Sequence, residues 1–150
     1  MGDTRLNLGC GYRKMKDFIN IDNRPEVSPD ILLDVTGGLP YGDGTVEMVL
    51  AIDFLEHVPI GKTVPLIEEI YRVLRGGGSF FAVTPSTDGR GAFQDPTHVS
   101  FWNANSWLYY MDDASRALYG IKAKFIGTVK DVVTDETAKV IHTHVALVKA

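Results

Sequence analysis

Residues Leu6–Asp22, LNLGCGYRKMKDFINID, decide how the rest of the chain is read. An apolar run, Leu6–Leu8, ends on Gly9-Cys10-Gly11, and a second, Phe18–Ile21, ends on Asp22. Both have the length and composition of short strands bounded by breakers. Glycine after a strand lets the backbone turn sharply and lets a ligand approach with no side chain in the way. A lone Gly-x-Gly there is equally often a tight turn and nothing more. The carboxylate at the end of the neighbouring strand shifts the balance. Ligands of open α/β sheets bind outside the carboxyl ends of strands, where Asp22 can accept hydrogen bonds from ribose hydroxyls or, more plainly, cap the turn at Asn23. A dinucleotide site predicts Gly-x-Gly-x-x-Gly and an acid about 20 residues on. Here Lys14 stands at the third glycine position and the acid arrives sooner. Tyr12–Asp17 holds at most one helical turn, so no helix N-terminus is at hand for a pyrophosphate. Parallel crossovers usually need about a dozen residues, so this one is compressed. A nucleoside without a pyrophosphate fits best, and a nicotinamide oxidoreductase is disfavoured.

Working outward, Ile31–Val35 reads as a third strand and Gly37–Gly44 as a loop. Glu47–Ile52 is an apolar run of the kind covered on both faces. DFLEHVP, from Asp53, holds one helical turn. A helix is expected over Thr63–Arg75, with Val64, Ile67, Tyr71 and Leu74 on one face. Thr63 is its N-cap, Pro65 lies in its first turn, and the Gly76–Gly78 run is its stop. Ser79–Thr84 is another strand. The segment from Ser86 to Ala104 is loop-like, and a helix covers Ser106–Tyr119. Lys124–Val133 and Ala138–Lys149 alternate around TDET as an antiparallel hairpin. Strands separated by crossovers, then a hairpin, specify a mainly parallel α/β sheet with an antiparallel addition.

At 150 residues the chain is expected to form one domain, 1–150. Its 45% apolar and 23% charged residues are those of an ordinary globular protein. A net charge of −4 and a pI near 5.5 disfavour nucleic acid as a partner. The single cysteine, Cys10, allows no intramolecular disulfide and reads as a small buried residue. No apolar run approaches the roughly 20 residues that span a bilayer, and the polar start Met1–Arg5 does not read as a signal peptide. No membrane association is expected, and the cytoplasm is the default location.

Four segments in order, LNLGCG, FINID, LLDVTGGLPYGDGTVEMVLAIDFLEHV and IYRVLRGGGSFFAVTP, together resemble class I S-adenosylmethionine-dependent methyltransferases. The nearest likeness is to the small type in which a short loop replaces the first helix. QDPTHVSFWNANSW also resembles a segment of members linked to glycan and cell-surface biosynthesis. The resemblance covers roughly residues 5–110. It implies a Rossmann-like, mostly parallel twisted sheet with helices on both faces and a C-terminal antiparallel hairpin, and S-adenosyl-L-methionine as cofactor. By position, Leu8, Gly9, Cys10 and Gly11 match the turn around the methionine part. Asp22, with Asn23 beside it, matches the acid that holds the ribose. Asp34 and Val35 match the adenine edge, and Ala51 and Ile52 the strand end beside the methionine portion, with Asp53, Leu55 and His57 in the following turn. Many members carry an acid where Asn7 stands; an amide can accept from the cofactor's ammonium but supplies no charge. The missing first helix leaves the site open unless another segment or a second copy of the chain covers it, so a homo-oligomer stays open.

Methyl transfer from a sulfonium needs mostly positioning, with a general base where the nucleophile is a hydroxyl. His98 is the first candidate base, with Asp95 as its orienter or alternative, since an imidazole titrates near neutrality. The plainer reading makes Asp95-Pro96 a turn starter and His98 a loop anchor. His57 reads as structural. His142 and His144 alternate on a strand with no carboxylate or cysteine in a ligand pattern, so no metal site is predicted. Phe93, Phe101, Trp102, Trp107, Tyr109 and Tyr110 crowd one region, as an acceptor pocket or, more simply, as core. Neither an Asn/Asp-Pro-Pro-aromatic tetrad nor a Pro-Cys nucleophile is present, which also disfavours nucleic-acid substrates. The expected function is methyl transfer to oxygen or nitrogen of a small-molecule or glycan acceptor. The alternative is a cofactor-binding module, or a degenerate member, that needs a partner for activity.

Overall fold

The computed structural model describes residues 3–150, so Met1 and Gly2 of the polar start lie outside the described residues. Seven strands form one sheet in the order β3-β2-β1-β4-β5-β7-β6. They are β1 (Thr4–Leu8), β2 (Ile19–Asp22), β3 (Ile31–Leu32), β4 (Val46–Ile52), β5 (Leu74–Pro85), β6 (Phe125–Asp135) and β7 (Val140–Lys149). The first five pair in parallel, and β7 enters antiparallel between β5 and β6. The fold is Rossmann-like, with the strand order reversing between β1 and β4.

One face of the sheet is sealed. Leu6 and Leu8 of β1, Val49 and Ala51 of β4, Phe80 and Ala82 of β5 and Val145 and Leu147 of β7 share it and are buried. They pack under Leu66, Ile67, Ile70 and Val73 of α1 (Ile60–Val73). Trp107 adds its ring to Phe80 at 5.9 Å from the 3-10 turns of Ala104–Tyr110. The opposite face carries α2 (Gly91–Gln94), a single turn beside Pro85 and Val140. Met48, Ile52, Phe81 and Val83 of that face stay half-buried. No helix of the described residues is long and apolar enough to cross a membrane.

The compressed first crossover is a loop held by two buried amides. Asn7 Nδ2 donates to Arg13 O and to Asn20 Oδ1, both at 3.0 Å. Asn20 Oδ1 also accepts from Met15 N at 2.8 Å, and Asn20 Nδ2 donates to Met15 O and Phe18 O. These side chains satisfy the backbone groups that a helix would have paired internally. Asn7 therefore commits both amide hydrogens to the crossover.

Several boundaries differ from the sequence reading. The long helix begins at Ile60 after Pro59, so Thr63 is inside it, its hydroxyl bonded to Ile60 O, and is not the N-cap. Gly76–Gly78 are not a stop but lie inside β5, where Val46 pairs with Leu74 and Met48 already pairs with Ser79. A glycine-rich bulge and a glycine helix stop carry the same composition signal. The third strand ends at Leu32, because Asp34 caps a 3-10 turn at Val35–Gly37. The helix expected over Ser106–Tyr119 is broken into the Ala104–Tyr110 turns and α3 (Asp113–Tyr119), since Asp112 accepts from Ser115 N and starts a new helix. Asn103 caps the first piece with a reciprocal Asn103–Ser106 capping box and donates to Thr87 Oγ1 at 2.8 Å. Asn103→Ala should lower stability by about 1–2 kcal/mol, read as a lower urea midpoint at unchanged slope.

Candidate functional site

Where β1 and β4 lie side by side, their chains leave in opposite directions, and a cleft of about 780 Å3 opens at their C-terminal ends. Gly9 and Gly11 both take positive φ, +60° and +50°. A Cβ on Gly9 would stand 2.0 Å from Phe54 Cδ2, so both conformation and space require glycine there. Gly11 N donates to Asp22 Oδ2 at 2.8 Å, and Asp22 Oδ1 accepts from Arg24 N at 3.0 Å. The glycine turn and the acid are thus one hydrogen-bonded unit. Asp22 is 6% exposed, lines the cleft, and also meets Arg24 Nε at 3.4 Å.

Of the residues singled out for a cofactor, Gly9, Cys10, Gly11, Asp22, Asn23, Asp34, Val35 and Ile52 line the cleft. Leu8 and Ala51 do not reach it; their side chains are fully buried in the core beneath. Burial, reinforced by Asp22, pushes the Cys10 thiol above its usual pKa, which disfavours the reactive thiolate. Thr36 donates both its hydroxyl and its N–H to Asp34 Oδ1, which holds that carboxyl below the usual range. Asp53 follows β4 with φ +49° and pairs with Arg13 across the cleft at 2.9 Å. Three carboxylates against two guanidiniums, Arg13 and Arg24, give a wall suited to a sulfonium and an ammonium rather than to a pyrophosphate.

The far end of the cleft is lined by His57 and Thr97. His98 and Asp95, the candidate base and its orienter, stand behind them and outside the lining, with His98 Nε2 3.6 Å from Asp95 Oδ2. The turn at Leu55–His57 brings Glu56 to the same corner. The sequence reading passed over Glu56, Thr97, Phe54 and Arg13. The available signal for Glu56 was a carboxylate set between Leu55 and Val58 in an apolar turn. Glu56 is 3% exposed, and burial pushes its carboxyl up to about 8 from 4.5. A raised folded-state pKa means the stability tied to the neutral carboxyl is complete below about pH 4.5 and is lost as the pH rises through about 8. With chelator present, urea midpoints from pH 5 to 9 should fall less steeply for Glu56→Gln than for the parent chain.

The aromatic residues divide. Trp102, Trp107 and Tyr110 are buried core, as the plainer reading has it. Phe93 and Phe101 are exposed and stacked at 5.3 Å, and Phe101 and Tyr109 line a second hollow of about 520 Å3.

Residues 6–82 match the sequence profile of the family described as methyltransferase domain. No curated protein sequence matches at a significant level. Solved structures do. A Haloferax volcanii methyltransferase, in complex with the Trm112 methyltransferase activator, superposes with a TM-score of 0.68 at 16% identity, over 99% of this chain and 83% of that one. A SAM-dependent methyltransferase from Archaeoglobus fulgidus gives 0.68 at 13% identity, over 99% and 87%. Phosphoethanolamine N-methyltransferase 2 of Haemonchus contortus, with phosphomonomethylethanolamine and S-adenosylhomocysteine, gives 0.69 at 11%, over 99% of this chain and 49% of that one. At these identities the likeness is one of fold.

Proposed function

The chain belongs to the methyltransferase-domain family, as a class I S-adenosylmethionine-dependent member, and from that premise we propose that it moves the methyl group of S-adenosylmethionine to oxygen or nitrogen of a small-molecule or glycan acceptor. The observation that carries this reading is the single unit made by the Gly9–Gly11 turn and Asp22 at the switch point of the sheet. In this reading the methionine part lies along Gly9–Gly11 and Ile52, the ribose hydroxyls donate to Asp22 beside Asn23, and the adenine edge meets Asp34 and Val35. Leu8 and Ala51 support the turn and strand end from below. The sulfonium already carries an electrophilic carbon and a neutral leaving group. The chain's part is alignment, worth up to about 7–11 kcal/mol in well-placed cases. The acceptor enters against His57 and Thr97, with His98 and Asp95 behind them as the polar group that handles its proton.

A second reading, a cofactor-binding module that works only with a partner, is favoured by one observation. Tyr12, which lines the cleft after the glycine turn, is 79% exposed, so no other described part of the chain covers the cleft at that residue. Calorimetry decides the cofactor: S-adenosylhomocysteine should bind one to one and NADH should not. Radiolabelled methyl transfer into a metabolite extract, alone and with a protein extract added, then separates the readings. Label incorporated by the chain alone supports the enzyme; label only with the protein extract supports the module.

A further inference from the structure

Behind the far end of the cleft, two loops bring four ligand-type side chains together. Val99 N and Ser100 N both donate to Glu56 O, at 2.8 and 3.1 Å, and Ser100 Oγ donates to Leu55 O at 2.8 Å. These bonds clamp the Asp95–His98 turn onto Glu56 and His57. One donor atom from each of Glu56, His57 and His98 then falls within 4.8 Å of the others. The two imidazoles meet edge to face at 5.0 Å.

The imidazoles are held as metal ligands are held. His98 Nδ1 lies 3.0 Å from Ala92 O, and His57 Nδ1 lies 3.3 Å from Thr97 O. A carbonyl oxygen only accepts, so each Nδ1 carries the hydrogen, and in the neutral ring the lone pair is then on Nε2. Backbone-anchored Nδ1–H with a free Nε2 is the usual outer-sphere arrangement of a ligating histidine. Glu56 Oε2 is buried with no hydrogen-bond partner, in a side chain only 3% exposed. A buried polar atom left unpaired calls for an explanation. Asp95 completes the corner: Oδ1 is taken by Thr97 N and Oγ1, while Oδ2 stands free 3.6 Å from His98 Nε2.

We propose that Glu56, His57 and His98 bind a divalent transition-metal ion of the zinc class, with the fourth position filled by Asp95 or by an oxygen of the methyl acceptor. Two imidazoles and one carboxylate with one position left open form a donor set of catalytic zinc sites. Magnesium and calcium prefer all-oxygen shells. Three donor atoms within 4.8 Å of one another are stabilised by a proton or a cation between them. A cation satisfies all three donors together. His57 lines the cleft beside Thr97, so an ion held by it would adjoin the end where an acceptor would arrive. An ion there would polarise an acceptor oxygen as a Lewis acid. That role rests on the methyltransferase reading and would replace the proton transfer given there to His98 and Asp95, but metal binding itself does not rest on it.

The test uses the full chain, stripped with a chelator, incubated with Zn2+ or Co2+ and freed of excess ion by gel filtration. Elemental analysis should find one zinc per chain, and the Co2+ form should show the visible bands of low-coordinate cobalt. Glu56→Gln, nearly isosteric, and His98→Ala should each weaken Zn2+ binding at least about tenfold. His144→Ala, on exposed β7 surface, should leave it unchanged. Parallel titration with S-adenosylhomocysteine separates the two readings: zinc bound without it sinks only the methyltransferase reading, whereas it bound without zinc sinks only the metal site. Zinc far below one per chain, or full binding retained by both Glu56→Gln and His98→Ala, overturns the proposal. Thermal melts in chelator guard against a misfolded His98→Ala, and Glu56→Gln alone then decides.

Discussion

Asp22→Ala is expected to weaken S-adenosylhomocysteine binding by about 100-fold or more while leaving the sheet folded. Two ribose hydroxyls donating to an ionised carboxylate are each worth about 1.5–3 kcal/mol, and every 1.4 kcal/mol is about tenfold in affinity. The same substitution removes the acceptor of Gly11 N and of Arg24 N, so the glycine turn loses its anchor as well. Asp22→Asn keeps the shape and one acceptor oxygen and should fall between the two. Calorimetry reads the affinities, and far-ultraviolet circular dichroism checks the fold. An alanine variant that binds within about twofold of the parent would show that the acid does not hold the ribose.

Gly9→Ala should have the largest effect on the molecule itself. The added Cβ would lie 2.0, 2.4 and 2.9 Å from Phe54 Cδ2, Cγ and Cβ, so the base of that side chain, and not only its tip, must move. The φ of +60° adds the left-handed penalty of about 1–2 kcal/mol, and overpacking adds about 1–3 kcal/mol. A total of about 2–5 kcal/mol should appear in urea unfolding, with loss of cofactor binding from whatever folded fraction remains. Gly61 in α1 is the contrast, since a Cβ there meets nothing within 4 Å. Gly61→Ala should raise stability by roughly 0.5–1 kcal/mol. If both substitutions behave alike, the glycine turn is not the constrained element described above.

The parts of the fold legible in the sequence are those fixed by local chemistry. β1, β2 and β4 stand where apolar runs end on glycine or aspartate, and the short crossover follows from counting residues between Gly11 and Phe18. What holds that crossover was not legible, because Asn7 and Asn20 meet across two strands and no local pattern marks a pair of amides. The long C-terminal helix failed at Met111–Asp112, where helical periodicity runs on but an aspartate can bond Ser115 N and restart the chain. Gly76–Gly78 failed for the opposite reason: β4 and β5 need close backbone approach, with a Cβ on Gly78 only 3.0 Å from Glu47 O. On the side of the cleft, Gly9, Gly11 and Asp22 stood out in the sequence because each sits at a strand end, and all three line it. Leu8 and Ala51 were drawn in with them because adjacent strand residues alternate faces, and theirs is the core face. The corner of Glu56, His57, Asp95 and His98 is built by Ser100 and Val99 folding onto Glu56 from a distant loop. The sequence marks its members but not their meeting.

The central claim is that the Gly9–Gly11 turn and Asp22 together seat an adenosyl sulfonium at the β1–β4 switch point. A crystal structure of the chain with S-adenosylhomocysteine tests it most directly. The account predicts the ribose hydroxyls within hydrogen-bond distance of the Asp22 carboxylate and the homocysteine along Gly9–Gly11. The compound lying elsewhere, with Asp22 still facing an empty cleft, would contradict it.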